Sequence, residues 1–288
     1  MCEFCTQHGE GKQWYLQMKN YSDELLHIPL TVEQKAITGY STRLEWLEHD
    51  FEHTIIPAYG GKPPAKSSPD EVISSIPRPQ YTDEQVLYRR KVDHFGQVLP
   101  VEDVEKVLRI ANSITRLPCA CRYFNRGLVN QRYCFGLGLD TQHLLGKFPE
   151  SKASLEVIEP DEAVMLVRKF DEEGLMHSVW TAVTPYVSGL CNCDGDCEAY
   201  GSYIRDKDLP TFLRSEYIAQ VDVDQCSGCK ECMRQCQFAA VFYSSARGKA
   251  DIAPERCFGC GVCRAACPQG AISLIPRVAS PVAVNIWF

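Results

Sequence analysis

The sequence has no apolar run near the about 18 residues that a membrane-spanning helix needs, so no transmembrane segment is expected. Its opening residues, MCEFCTQHGEGK, lack the apolar core of a signal peptide, and a cytoplasmic setting follows as the expectation. Excess positive charge is absent too: 30 Lys and Arg stand against 37 Asp and Glu, a net charge of −7, which argues against a nucleic-acid partner. Gly136 and Gly138 are not followed by the third glycine of a dinucleotide fingerprint, and the strand–helix context around them is missing. His49 and His53 lie four apart in HDFEH, which lacks the glutamate placement of a metallopeptidase HExxH; a solvated helix face is the expectation there. No helix-turn-helix or other output module is visible, which disfavours a redox sensor.

What the chain does have is cysteine: 16 in 288 residues, within an otherwise ordinary 45% hydrophobic and 23% charged composition. That length allows one large or two modest domains. With no secretory leader, so many free thiols imply metal ligation in a reducing, oxygen-poor cytoplasm, not a disulfide framework.

Eight of the cysteines fall in two runs, CSGCKECMRQC (Cys226, Cys229, Cys232, Cys236) and CFGCGVCRAACP (Cys257, Cys260, Cys263, Cys267, then Pro268). Both read C-x2-C-x2-C-x3-C, a spacing that holds cubane iron–sulfur clusters. Three thiolates two residues apart reach three corners of one cubane from a tight loop. The fourth starts the next helix and points away. Cys267 is therefore expected to complete the cluster of Cys226, Cys229 and Cys232, and Cys236 that of Cys257, Cys260 and Cys263. The runs repeat at 31 residues, and Ala240-Val241 lies the same distance before Ala271-Ile272. On these residues, 216–278 resembles a bacterial dicluster ferredoxin with two 4Fe–4S clusters. Gln237 departs from that pattern, standing where the first run would usually carry proline. Acidic and basic residues in this segment nearly balance, unlike the acidic surface of many free ferredoxins, and suggest a module docked on a fixed neighbour.

Upstream, the chain is expected to be α+β: a Cys-containing tip and helical arm (1–56), a Pro-rich linker (57–82), a small α/β cysteine-rich domain (83–215), the pseudo-twofold dicluster ferredoxin domain (216–278) and an apolar tail (279–288). In the arm, Ile37, Tyr40, Leu44, Leu47, Phe51 and Ile55 form one helical face, and Thr31–Gln34 and Thr42–Glu45 are capping-box pairs around Gly39, so two helices are expected. Pro100 is expected to open a helix carrying Val101, Val104, Val107, Leu108, Ala111 and Ile114 and ending at Leu117-Pro118. SLEVI (154–158), a helix from Pro160 to Gly174, and LMHSVWTAVT should form a strand–helix–strand unit.

The central domain holds CACR (Cys119, Cys121), an isolated Cys134, and CNCDGDC (Cys191, Cys193, Cys197). This order, ahead of a ferredoxin, resembles a group of anaerobe iron–sulfur proteins, in many of which the last loop is richer in cysteine; here Asp194 and Asp196 stand at positions where thiols would be. The six cysteines, read as lying in polar loops beside Gly and Asp, are candidate ligands of a third cluster, with buried structural cysteine as the alternative. Cys2 and Cys5, beside His8, would allow a fourth cluster or a zinc ion. Arg122 reads as a hydrogen-bonding residue, and His177 is the other polar neighbour. The expected function is single-electron transfer, as a relay subunit of a larger oxidoreductase with a redox protein partner; the alternative is a reductase with its own substrate or open-site cluster in the central domain.

Overall fold

The computed structural model describes residues 13–61, 82–195 and 212–287. Cys2, Cys5, His8, Asp196 and Cys197 lie outside them, as does most of the Pro-rich stretch. Helix and sheet are mixed, with a ferredoxin-like unit at the C-terminus.

The arm begins with α1 (Asp23–His27), α2 (Val32–Thr38) and α3 (Arg43–Asp50). Thr31 and Gln34 make the complete reciprocal cap expected, and Gly39, at φ 82°, ends α2. Thr42 caps α3 through the Glu45 N–H, but the Glu45 carboxylate takes the Ser41 N–H at 2.6 Å, so this box is half-formed. The helix then passes without a break through a π-helical turn, Phe51–Ile55, into α4 (Ile56–Gly60). Pro57 is therefore helical, contrary to the linker expectation, and stands just after the π turn, where the hydrogen-bond ladder is already shifted and the Ile56 N–H bonds the Phe51 carbonyl five residues back. His49 and His53 stack at 4.2 Å with no third ligand between them, and both rings lie at the exposed side of the helix.

A seven-stranded sheet forms the centre, in the order β4-β2-β3-β6-β5-β1-β7. Its members are β1 (Gly96–Leu99), β2 (Ile114–Leu117), β3 (Cys134–Leu137), β4 (Glu156–Val157), β5 (Met176–Thr181), β6 (Val187–Cys193) and β7 (Phe212–Leu213). All pairings are antiparallel except β1 with β7. After α5 (Asp83–Asp93) and β1, the helix opened by Pro100 is α6 (Val101–Ile110). It stops seven residues short of the expected Leu117, because Ile114–Leu117 pairs with Leu137–Cys134 as β2. A β-branched run with a waiting partner strand outweighs the helical spacing that Ile114 continues. α9, labelled after α7 (Ala120–Arg126) and α8 (Thr141–Lys147), runs Pro160–Glu172 as expected, with Ala163, Val164, Val167 and Phe170 inward. The strands flanking α9 are not neighbours: β4 is a two-residue edge and β5 is central, with three strands between them.

The two faces of the sheet carry different cores. Phe135, Leu137, Val179 and Leu190 pack with α6, α9, Trp14 and Tyr15. On the other side, Leu47, Phe51 and Ile55 of the arm pack against Leu117, Leu139, Leu144 and Phe148. Strand periodicity puts Cys134, Cys191 and Cys193 on the face opposite Phe135 and Leu190, towards the arm.

The C-terminal unit pairs β8 (Tyr217–Val221) with β11 (Ile272–Pro276), and β9 (Val241–Ser244) with β10 (Lys249–Ile252); the short helices α10 (Glu231–Gln235) and α11 (Val262–Ala265) lie between. Among the described residues no helix is long and apolar enough to cross a membrane.

Candidate metal centres

The 31-residue repeat is visible in backbone detail. Gly228 and Gly259 hold equivalent left-handed positions, φ 74° and 71°, and a Cβ on either would stand 2.3 Å from Gly248 O or 2.0 Å from Tyr217 O. The last cysteine of each run accepts from an equivalent amide, Ala240 N to Cys236 Sγ and Ala271 N to Cys267 Sγ, both 3.3 Å. Ala219 N donates to Cys257 Sγ at 3.3 Å.

Two small cavities, of about 10 and 20 Å³, lie in this unit. Cys226, Cys229, Cys232 and Cys267 line the first; Cys236, Cys257, Cys260 and Cys263 line the second. Each therefore gathers three thiols from one run and the fourth from the other; that fourth does not start a helix as expected but follows one, Cys236 ending α10 and Cys267 lying just beyond α11. The donor chemistry fits a cationic cluster. Burial, reinforced by the neighbouring cysteines, pushes the Cys232 thiol up to about 11 and raises Cys257, Cys260 and Cys263 as well. Thiolates so placed need iron charge beside them. The two cavities differ at one thiol: Cys229 is exposed and its counterpart Cys260 only partly so, while Cys226, Cys232, Cys257 and Cys263 are all buried.

The central cysteines converge although they are scattered in sequence. Cys119 caps the N-terminus of α7, with Cys121 in its first turn. Cys134 opens β3, and the β3–β6 register, Phe135 opposite Leu190, brings Cys134 opposite Cys191. Cys134 Sγ stands 3.2 Å from Cys119 Sγ and 3.9 Å from Cys191 Sγ, and Tyr133 N donates to Cys119 Sγ at 3.1 Å. These cysteines are not in polar loops as expected: Cys191 and Cys193 belong to a strand, where their alternation gives both to one face. Hydrogen bonding to Cys134, followed by burial, holds the Cys119 thiol well above its usual range. No group of three or more His, Cys, Asp or Glu among the described residues is placed to hold a single metal ion.

Arg122 is a buried clamp. Its guanidinium lies 4.3 Å over the Tyr133 ring and donates to Asp194 Oδ2 at 3.0 Å and Asn192 O at 3.4 Å, fixing the end of β6 to α7. His177 sits across the sheet from Cys191 and Cys193: its ring meets Asn192 Oδ1 at 2.6 Å and Asp171 Oδ1 at 3.8 Å. Burial pulls His177 down to about 4 and lifts Asp171 to about 6.

The ferredoxin unit docks on this site. Gln237, the departure from the proline pattern, donates from Nε2 to Gly174 O at 3.0 Å and Cys193 O at 3.2 Å. Arg264 pairs with Glu102 at 2.6 Å. One apolar group contains Cys193, Met176, Trp180, Phe258 and Val262, with Cys121, Cys191, Phe238 and Cys260 packed on it; the Phe238 and Phe258 rings stack 4.0 Å apart. Sequence reasoning missed Gln237 and the two phenylalanines, whose only signal was the absent proline and an aromatic beside each cysteine run.

Residues 220–271 match the family model described as a 4Fe–4S dicluster domain, so this segment is a dicluster ferredoxin segment. The chain is 36% identical over 58 residues to the indolepyruvate oxidoreductase subunit IorA of Pyrococcus horikoshii and to that of Pyrococcus abyssi, covering 20% of this chain and 9% of each relative. It is 33% identical over 64 residues to an archaeal-type glutamate synthase [NADPH] of Dehalococcoides mccartyi, covering 22% of this chain and 13% of that protein. The chain thus spans about a tenth of the length of the curated relatives it matches.

Proposed function

We propose that this protein is an electron relay of an oxidoreductase complex, working in a reducing, oxygen-poor cytoplasm. Its three centres would run from the protein surface into the central sheet. Cys226, Cys229, Cys232 and Cys267 would hold the outer cluster, where exposed Cys229 offers a redox partner the shortest approach. Cys257, Cys260, Cys263 and Cys236 would hold the middle one. Cys119, Cys121, Cys134 and Cys191 would hold the inner one, with Cys193 and Cys197 as the remaining candidates. When bound, such clusters supply reversible one-electron chemistry.

The observation that carries this reading is the apolar group joining Cys260 to Cys121, Cys191 and Cys193 through Phe238 and Phe258. Candidate ligands of the middle and inner centres share that apolar contact, which supports the reading. The chain's own residues supply the rest. Gln237 and Arg264 set the separation of the two units, and backbone amides donate to the sulfurs. The relatives' names associate this kind of segment with oxidoreductases, which supports the complex but identifies no partner. The test is a Cys134→Ser, Cys191→Ser double variant prepared anaerobically: it should lose about four irons per chain while keeping both ferredoxin signals in EPR. Full iron retention would refute the inner centre.

A further inference from the structure

Beside the central thiols is a cavity with no counterpart in the ferredoxin unit. Its volume is about 330 Å³, against about 10 and 20 Å³ for the two cavities that four cysteines line. That excess is room for an occupant beside whatever Cys121, Cys134 and Cys191, which also line it, would hold.

The wall facing that space has its own character. Trp46, His94 and Trp180 stack as a ladder, with centroids 5.4 and 4.9 Å apart and planes within 27° and 21°. The ladder is anchored from behind: Trp46 Nε1 donates to Asp93 Oδ1 at 2.9 Å, Trp180 Nε1 to Ser178 Oγ at 2.9 Å, and His94 Nδ1 bonds the Thr181 carbonyl. Phe51 and Ile55 close the arm side from the π-helical turn, a distortion often found at functional sites. Asp50, at the edge of that turn, accepts from Thr54 Oγ1 at 3.2 Å. Burial lifts the Asp50 carboxyl above its usual range, against the opposing pull of His94 and the Thr54 hydrogen bond. No lysine or arginine is among the described lining residues.

We propose that this cavity binds a flat, uncharged aromatic molecule carrying a carbonyl or hydroxyl oxygen, laid along the Trp46–His94–Trp180 ladder with its oxygen towards Asp50. An apolar pocket of this size with a few convergent polar groups is the usual form of a small-molecule site. The missing cations and the thiol-lined end disfavour an anion. The inference deepens the relay reading, on which it rests for its purpose: the ligand would be the small-molecule partner at the inner end of the chain of centres.

The test uses the full, iron-loaded chain under anaerobic conditions, titrated calorimetrically with 1-naphthol and with 1-naphthalenesulfonate. One equivalent of 1-naphthol should bind, and the sulfonate at least tenfold more weakly. Gly189 lines the cavity, and a Cβ there would stand 3.8 Å from Trp180 Cβ, so a side chain fits. Gly189→Leu should fill the site and weaken 1-naphthol at least tenfold with iron content unchanged, and so should Trp46→Leu, in case the first variant folds poorly. No binding by the wild type, or equal affinity in both variants, overturns the proposal. Iron and sulfide measured on the same samples report on the inner centre independently, so its failure is distinguishable from failure of the cavity.

Discussion

Single residues decide how this molecule differs from a free ferredoxin. Gln237 looks like a lapse in a cysteine motif, yet its amide fastens the ferredoxin unit to Gly174 and Cys193. Gln237→Ala should keep all iron but speed amide exchange around β6 and Gly174, with a stability loss of about 1–2 kcal/mol for two hydrogen bonds; unchanged exchange would show that the staple is idle. His177 and Asp171 make a second residue-scale prediction, because burial shifts them in opposite senses. His177, held near 4, binds its proton more weakly folded than unfolded, so its contribution grows as pH rises from about 4 to 6.5. Asp171, lifted to about 6, keeps its proton longer when folded, so its contribution falls as pH rises from about 4 to 6. The two nearly cancel in the wild type. Asp171→Asn should therefore gain stability with rising pH across that window and His177→Gln should lose it, each on the order of 1 kcal/mol per pH unit. Unfolding midpoints measured from pH 4 to 6.5 that tilt the same way in both variants would contradict the assignment.

At the scale of elements, the repeat was legible because its chemistry is local: spacing alone fixes which thiols share a loop. Gly259 shows how tight that loop is. Gly259→Ala would place a Cβ 2.0 Å from the Tyr217 carbonyl, so it should cost the middle cluster, about four irons, while the outer one survives. Iron analysis of the purified variant decides it, and full loading would mean the loop can move. The central site was less legible. Its six cysteines were visible, but the meeting of Cys134 with Cys191 depends on β3 lying beside β6, a pairing that no local pattern encodes. The same long-range pairing turned the expected tail of α6 into β2. Helical periodicity reads one element at a time, and a strand is defined by its neighbour.

For the whole molecule, the balanced charge of the ferredoxin segment pointed to a fixed neighbour, and part of that neighbour is the chain itself. Arg264, Gln237 and the phenylalanine stack bind it to the central sheet. The apolar tail docks in the same way: Arg214 N donates to Trp287 O at 2.9 Å, Ala283 is buried, and Arg277 donates to the carbonyls of Ser215, Tyr217, Cys257 and Ile286. Two ferredoxin cavities, one thiol group on the sheet and one aromatic-walled space are thus held in one docked assembly of the described residues. The most direct test of this account is iron and acid-labile sulfide per chain on anaerobically purified protein, with low-temperature EPR of its reduced form. The account predicts about twelve irons and a third signal that vanishes with Cys134 and Cys191; about eight irons, with only two signals, would contradict it.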